Sequence, residues 1–187
     1  MIRLSIRILA LIAALACVAP ALAAPPKLPA GVDPENAIVI DTSKGQIVIK
    51  LRTDIAPQHA ERIKTLAREH FYDNVPFHRV IEGFMAQTGD GQNFNGTGGS
   101  KYPNLQAEFT QVPFKRGIVG MARKGGDNNS ANSQFFIMYK ENAGLNGQYT
   151  VIGEVVSGMN VADKIKKGEP VENPDKMLKV QVAADIK

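Results

Sequence analysis

Phe77-His78-Arg79-Val80-Ile81-Glu82-Gly83-Phe84-Met85-Ala86-Gln87 is the stretch on which the reading of this chain turns. It is apolar and aromatic, yet it carries one Arg and one Gln. A second segment, Asn132-Ser133-Gln134-Phe135-Phe136-Ile137, has the same character. Residue type alone leaves two readings open. Such runs are often ordinary core strands, with the Arg paired or snorkelling to water. Alternatively, the polar members mark a site set in an apolar surface.

Outward from these segments the pattern is mostly β. Ala37–Asp41 and Gln46–Arg52 are rich in Val and Ile and flank Thr42-Ser43-Lys44-Gly45, which predicts a hairpin. Ile47, Ile49 and Leu51 alternate with more polar neighbours. Pro57–His70 reads as a helix, with Pro57 in its first turn and Ala60, Ile63, Leu66 and Ala67 at helical spacing. Tyr72–Pro76 reads as a turn and Phe77–Ile81 as a short strand. Ten of the 17 glycines lie between Gly83 and Gly126, so this stretch should be loops and short strands. Gly117–Ala122, Gln134–Tyr139, Thr150–Val156 and Met177–Ile186 are further strand candidates. Met159–Lys167, between Gly158 and Gly168, is a second helix candidate. Short strands, glycine-rich turns and two isolated helices predict a mainly β barrel or sandwich with helical caps.

The N-terminus has a different composition. Positions 1–23 hold no acid and are apolar except at Arg3, Ser5, Arg7 and Pro20. A basic Met1–Arg7, an apolar Ile8–Val18 and the Ala21-Leu22-Ala23 cleavage site read as a secretory signal peptide. Cys17 is the only cysteine and lies inside this leader. A lipoprotein anchor through Cys17 is the minor alternative, because Ala14-Leu15-Ala16 fits a lipobox poorly. Residues 24–36, with Pro25, Pro26, Pro29 and Pro34, read as an extended proline-rich linker. Residues 37–187 then form one domain. Loss of Arg3 and Arg7 with the leader lowers the formal charge from +4 to +2. Basic residues are interleaved with 18 acids, so composition does not point to nucleic acid. The expected location is exported and periplasmic, with no membrane attachment after cleavage.

Several chemistries find no support. His59, His70 and His78 are not paired at metal-ligand spacing, so no metal site is expected. No serine sits in a G-x-S-x-G setting. Gly96-Thr97-Gly98-Gly99 lacks the Lys-Ser/Thr of a phosphate loop and reads as a tight turn.

One resemblance spans nearly the whole mature chain. Phe77-His78-Arg79-x-Ile81-x-Gly83-Phe84-Met85-x-Gln87-x-Gly89-Asp90, Gly96-Thr97-Gly98-Gly99, Gly120-Met121-Ala122 and Ser133-Gln134-Phe135-Phe136-Ile137 closely resemble the cyclophilins. These are peptidyl-prolyl cis-trans isomerases. The short Phe71–Pro76 connection and Leu145–Val151 resemble the bacterial exported branch. The resemblance implies a closed eight-stranded antiparallel barrel capped by two α-helices, with the groove outside it.

It also implies site roles. Arg79 is the expected catalytic residue. Phe84, Met85, Phe136 and Leu145 match proline-pocket positions, and Gln87 matches a polar contact beside Arg79. Ala122, Arg123 and Gln134 match groove positions, and Tyr149 stands where many eukaryotic members have a pocket histidine. Those members also carry a Trp where this chain has Gly144, so at most weak cyclosporin binding is expected. Arg123 replaces a common Asn and adds positive charge to the groove. The reaction breaks no bond, so no cofactor is expected. The expected partners are proline-containing unfolded or partly folded polypeptides, and the expected state is a monomer.

Overall fold

The computed structural model describes residues 28–187. The expected leader, with Cys17, and the first part of the proline-rich segment lie outside the described residues. The strands are β1 (Ala37–Thr42), β2 (Gly45–Leu51), β3 (Val75–Pro76), β4 (Arg79–Ile81), β5 (Met85–Thr88), β6 (Ile118–Met121), β7 (Phe135–Met138), β8 (Val151–Ser157) and β9 (Lys176–Val182). The helices are α1 (Pro57–Arg68) and α2 (Met159–Ala162). All nine strands join one sheet in the order β3-β9-β1-β2-β8-β6-β7-β5-β4, and every paired neighbour is antiparallel. Register shifts at Asp41/Thr42, Val48/Ile49 and Val119/Gly120 bend the sheet, as bulges do.

The expected closed eight-stranded barrel is corrected here. The sheet is an open, curled half-barrel whose two ends are β3 and β4. Those ends are consecutive in the chain and separated only by Phe77-His78, yet they do not pair as a hairpin and lie at opposite ends of the strand order. The seam is crossed instead by single bonds. Phe77 N–H donates to Asp175 O at 2.9 Å, Val171 N–H to His78 O at 3.1 Å, and Thr88 Oγ1 to Pro76 O at 2.9 Å. Val80 and Gly168 bridge with bonds of 2.8 and 2.9 Å.

Strand alternation sorts side chains to two apolar clusters. Ile38, Ile40, Ile47, Ile49, Leu51, Val80, Ala86, Val119, Phe135 and Ile137 point into the curl. Ala60, Ile63, Leu66 and Ala67 of α1 pack on the same core, matching their helical spacing. The alternate residues Met85, Phe136 and Met138 join Phe114 and Val151 in a second cluster on the opposite face.

α1 starts at Pro57, but its N-cap Ala56 offers no side-chain acceptor. Glu108, remote in sequence, supplies one. Its Oε1 accepts from Gln58 N–H at 3.2 Å and its Oε2 from His59 N–H at 3.1 Å, beside the positive end of the helix dipole. The second helix, Met159–Ala162, is shorter than the expected Met159–Lys167. After Ala162 the chain tightens into i→i+3 bonds at Lys164 and Ile165, which buries Ile165 and carries Gly168 to Val80. The last strand ends at Val182, followed by a 3-10 turn at Ala183–Asp185. The expected extended linker differs at its end. Pro34–Asn36 is a 3-10 turn capped by Asp33, and Glu35 pairs with Arg68 at 2.9 Å.

Candidate active site

The groove is built from a cross-strand row. Arg79 of β4 pairs with Gln87 of β5, Gln87 with Phe136 of β7, and Phe136 with Gly120 of β6. Antiparallel partners project to the same face, so these residues stand side by side outside the curl. The next row, Ile81–Met85–Met138, lines the same cluster. Gly120 holds the position beneath the aromatic floor. A β-carbon there would lie 2.6 Å from both Phe136 Cζ and Phe114 Cε1. Phe114 stacks on Phe136 at 5.8 Å, and Tyr149 meets Phe136 edge-on at 5.7 Å.

A cavity of about 140 Å³ opens above this floor, lined by Arg79, Phe84, Met85, Gln87, Ala122, Arg123, Phe136, Leu145 and Tyr149. Nine of the ten expected site residues therefore converge on one cavity. The tenth, Gln134, lines a neighbouring hollow of about 580 Å³, which shares Ala122 and Arg123 with the first. The two hollows form one continuous surface around those residues.

Polar side chains along the groove are linked in series. Arg79 Nη1 donates to Gln87 Oε1 at 3.4 Å. Gln87 Nε2 donates to Gln134 Oε1 at 2.9 Å, and Gln134 Nε2 donates to Gly96 O at 2.9 Å and Gly98 O at 2.8 Å. Each amide is thereby fixed in one orientation. The Gly96–Gly99 turn, read from sequence as a plain surface turn, is a wall of the larger hollow.

Asp90 holds that turn. Its carboxylate accepts N–H bonds from Gln92, Asn93, Asn95, Gly96 and Gly98 at 2.8 to 3.2 Å. Burial alone would push its carboxyl up, but the backbone donors together hold it below the usual carboxylate range. His78 is buried beneath Gly96, and burial pushes its imidazole below its ordinary value.

Arg123 does not hang free in the groove. Its guanidinium lies 4.6 Å from the Tyr149 ring centroid, and Nε donates to Gln148 O at 3.0 Å. It forms part of both hollows' walls.

Sequence reasoning missed one partner of the site. Glu169 accepts from Arg79 Nε, across 90 residues of chain. Nothing local in Lys167-Gly168-Glu169-Pro170 signals this, because the contact exists only once Gly168 pairs with Val80. Among the described residues no helix is long and apolar enough to cross a membrane.

Comparison with known proteins agrees with this geometry. The family model described as cyclophilin type peptidyl-prolyl cis-trans isomerase/CLD matches residues 37–184. A Brucella suis biovar 1 protein named "Probable peptidyl-prolyl cis-trans isomerase" is 53% identical over 170 residues, covering 83% of this chain and 86% of that protein. A Helicobacter pylori peptidyl-prolyl cis-trans isomerase is 41% identical over 138 residues, covering 72% of this chain and 82% of its own length. Among solved structures, cyclophilin AquaCyp293 from Hirschia baltica superposes with a TM-score of 0.77 at 29% identity, covering 83% of this chain and 77% of that one. A Cryptosporidium parvum cyclophilin type isomerase, crystallised in the presence of the dipeptide Ala-Pro, gives a TM-score of 0.72 at 25% identity, covering 78% of this chain and 98% of that one. With the family match spanning the whole curled sheet and its groove, this chain belongs to the cyclophilin-type peptidyl-prolyl cis-trans isomerases and is an isomerase.

Proposed function

We propose that Arg79 is the catalytic residue and that the chain accelerates X-Pro rotation in exported proteins as they fold. Rotation about a peptide bond meets a barrier of about 18–20 kcal/mol, because it breaks amide resonance. At the twisted transition state the prolyl nitrogen becomes pyramidal and regains a lone pair. A donor aimed at that lone pair binds the transition state better than either planar form. Arg79 suits the task because its guanidinium stays charged without any proton transfer.

The observation that carries this reading is the placement of Arg79 at an aromatic-floored cavity of about 140 Å³. The prolyl ring packs against Phe84, Met85, Phe136, Leu145 and Tyr149. Gln87 steadies the guanidinium, while Ala122, Arg123 and Gln134 hold the flanking backbone extended. Holding one side of the proline lets the other side swing. An acceleration of about 10⁵ corresponds to about 7 kcal/mol, of which one Arg supplies a few and positioning and desolvation the rest.

Export is supported by the pattern of positions 1–23. The N-terminal residue of protein recovered from the periplasm tests it, with Ala24 expected. Catalysis is tested by NMR exchange of a short Ala-Pro peptide, comparing the native protein with Arg79→Ala. Fast exchange natively and a large loss in the variant support both the activity and the role of Arg79. Fast exchange in both sinks the role. Binding without acceleration in either would make the chain a proline-peptide binder.

A further inference from the structure

We infer that Glu169 is a positioning residue for Arg79, and that isomerisation depends on its carboxylate. The inference rests on the reading of Arg79 as the donor to the prolyl nitrogen.

The backbone puts Glu169 in place. β4 is an edge of the sheet, with β5 on one side. On its other side Val80 and Gly168 exchange both backbone bonds, at 2.8 and 2.9 Å, as antiparallel partners do. That register makes residue 169 the partner of residue 79. Val171 N–H to His78 O, at 3.1 Å, keeps the two segments together beyond that pair, shifted by one residue. Arg79 therefore has a register partner on each side, Glu169 and Gln87, and both side chains touch its guanidinium.

The two contacts use different nitrogens. Glu169 takes Nε–H and Gln87 takes an Nη1 hydrogen. Among the described residues nothing accepts from Nη2, so that edge is left for substrate. A guanidinium is planar, and fixing Nε and Nη1 fixes the direction of Nη2. Gln87 alone, at 3.4 Å, is a weak restraint. The carboxylate is the stronger one.

Stability does not account for the pair. Arg79 and Glu169 side chains are 37% and 54% exposed, a setting in which ion pairs add little to folding. A residue that matters to folding little but to the guanidinium's direction much should separate the two effects when removed.

The test compares native protein, Glu169→Ala, Glu169→Gln and Arg79→Ala by NMR exchange of an Ala-Pro peptide, with thermal unfolding of each. Glu169→Ala is expected to lose about tenfold in kcat, with KM little changed, because the loss is of aim rather than of binding. Its unfolding midpoint should stay near native. The Arg79 Nε–Hε NMR resonance should move in Glu169→Ala and less in Glu169→Gln, which keeps an acceptor. Adding Glu169→Ala to Arg79→Ala should cost nothing further. Unchanged or raised kcat in both Glu169 variants overturns the proposal, as does an equal loss in the Arg79→Ala background. If Arg79→Ala itself keeps full activity, the reading of Arg79 fails, and the two failures are thus distinct.

Discussion

Gly120 and Phe136 are cross-strand partners, and no side chain fits between the Gly120 backbone and the Phe136 ring. A β-carbon at residue 120 would meet Phe136 and Phe114 at 2.6 Å each. Gly120→Ala must push the pocket floor upward. We expect destabilisation of about 1–3 kcal/mol from overpacking. We also expect a raised KM for proline peptides. Urea unfolding and NMR exchange on the same variant check both.

Gln87 connects Arg79 to Gln134 and, through it, to the Gly96 and Gly98 carbonyls. Gln87→Leu keeps the bulk and removes both bonds. We expect kcat/KM to fall about tenfold, because loss of orientation at a reacting centre is expensive. Hydrogen exchange at Gly96 and Gly98 should rise as well, since Gln134 loses its own anchor. Unaltered exchange there would show that the Asp90 bonds alone hold the turn.

Stability should fall as the pH drops. Burial holds His59 and His78 below the usual 6.5, against the opposing pull of Glu108 and Asp90 respectively. The folded state thus binds protons later than the unfolded chain does. The stability contributed is fully present above about pH 6.5 and declines as the pH falls through the folded-state values. A second decline is expected below about pH 3.8 as Asp90 protonates. Urea midpoints across the range measure the slope. His78→Leu should flatten it, since neither His78 nitrogen has a partner among the described residues.

Arg123 lines both hollows, stacked on Tyr149. We expect peptides with Glu before proline to turn over somewhat faster than those with Lys, and Arg123→Asn to erase the difference. Equal turnover by the native protein would remove Arg123 from the specificity determinants.

The residues themselves determined a large share of this protein. Period-two alternation places Ile47, Ile49 and Leu51 in the core and Phe135 and Phe136 in different clusters, because successive side chains of a strand face opposite ways. The spacing of Ala60, Ile63, Leu66 and Ala67 marked the buried face of α1 for the same kind of reason. Nine of the ten motif residues from Arg79 to Tyr149 line one cavity. Tertiary structure alone decided the rest. The half-barrel stays open although only two residues join β3 to β4, and only the arrangement of all nine strands shows which ends remain free. Met159–Ala162 stops short of the expected Met159–Lys167, where the chain tightens into i→i+3 bonds and buries Ile165. Glu108 caps α1, and Glu169 reaches Arg79, across some 50 and 90 residues of chain. Such contacts have no local sequence signal. They follow from register between distant segments, which is set by the packing of the whole sheet.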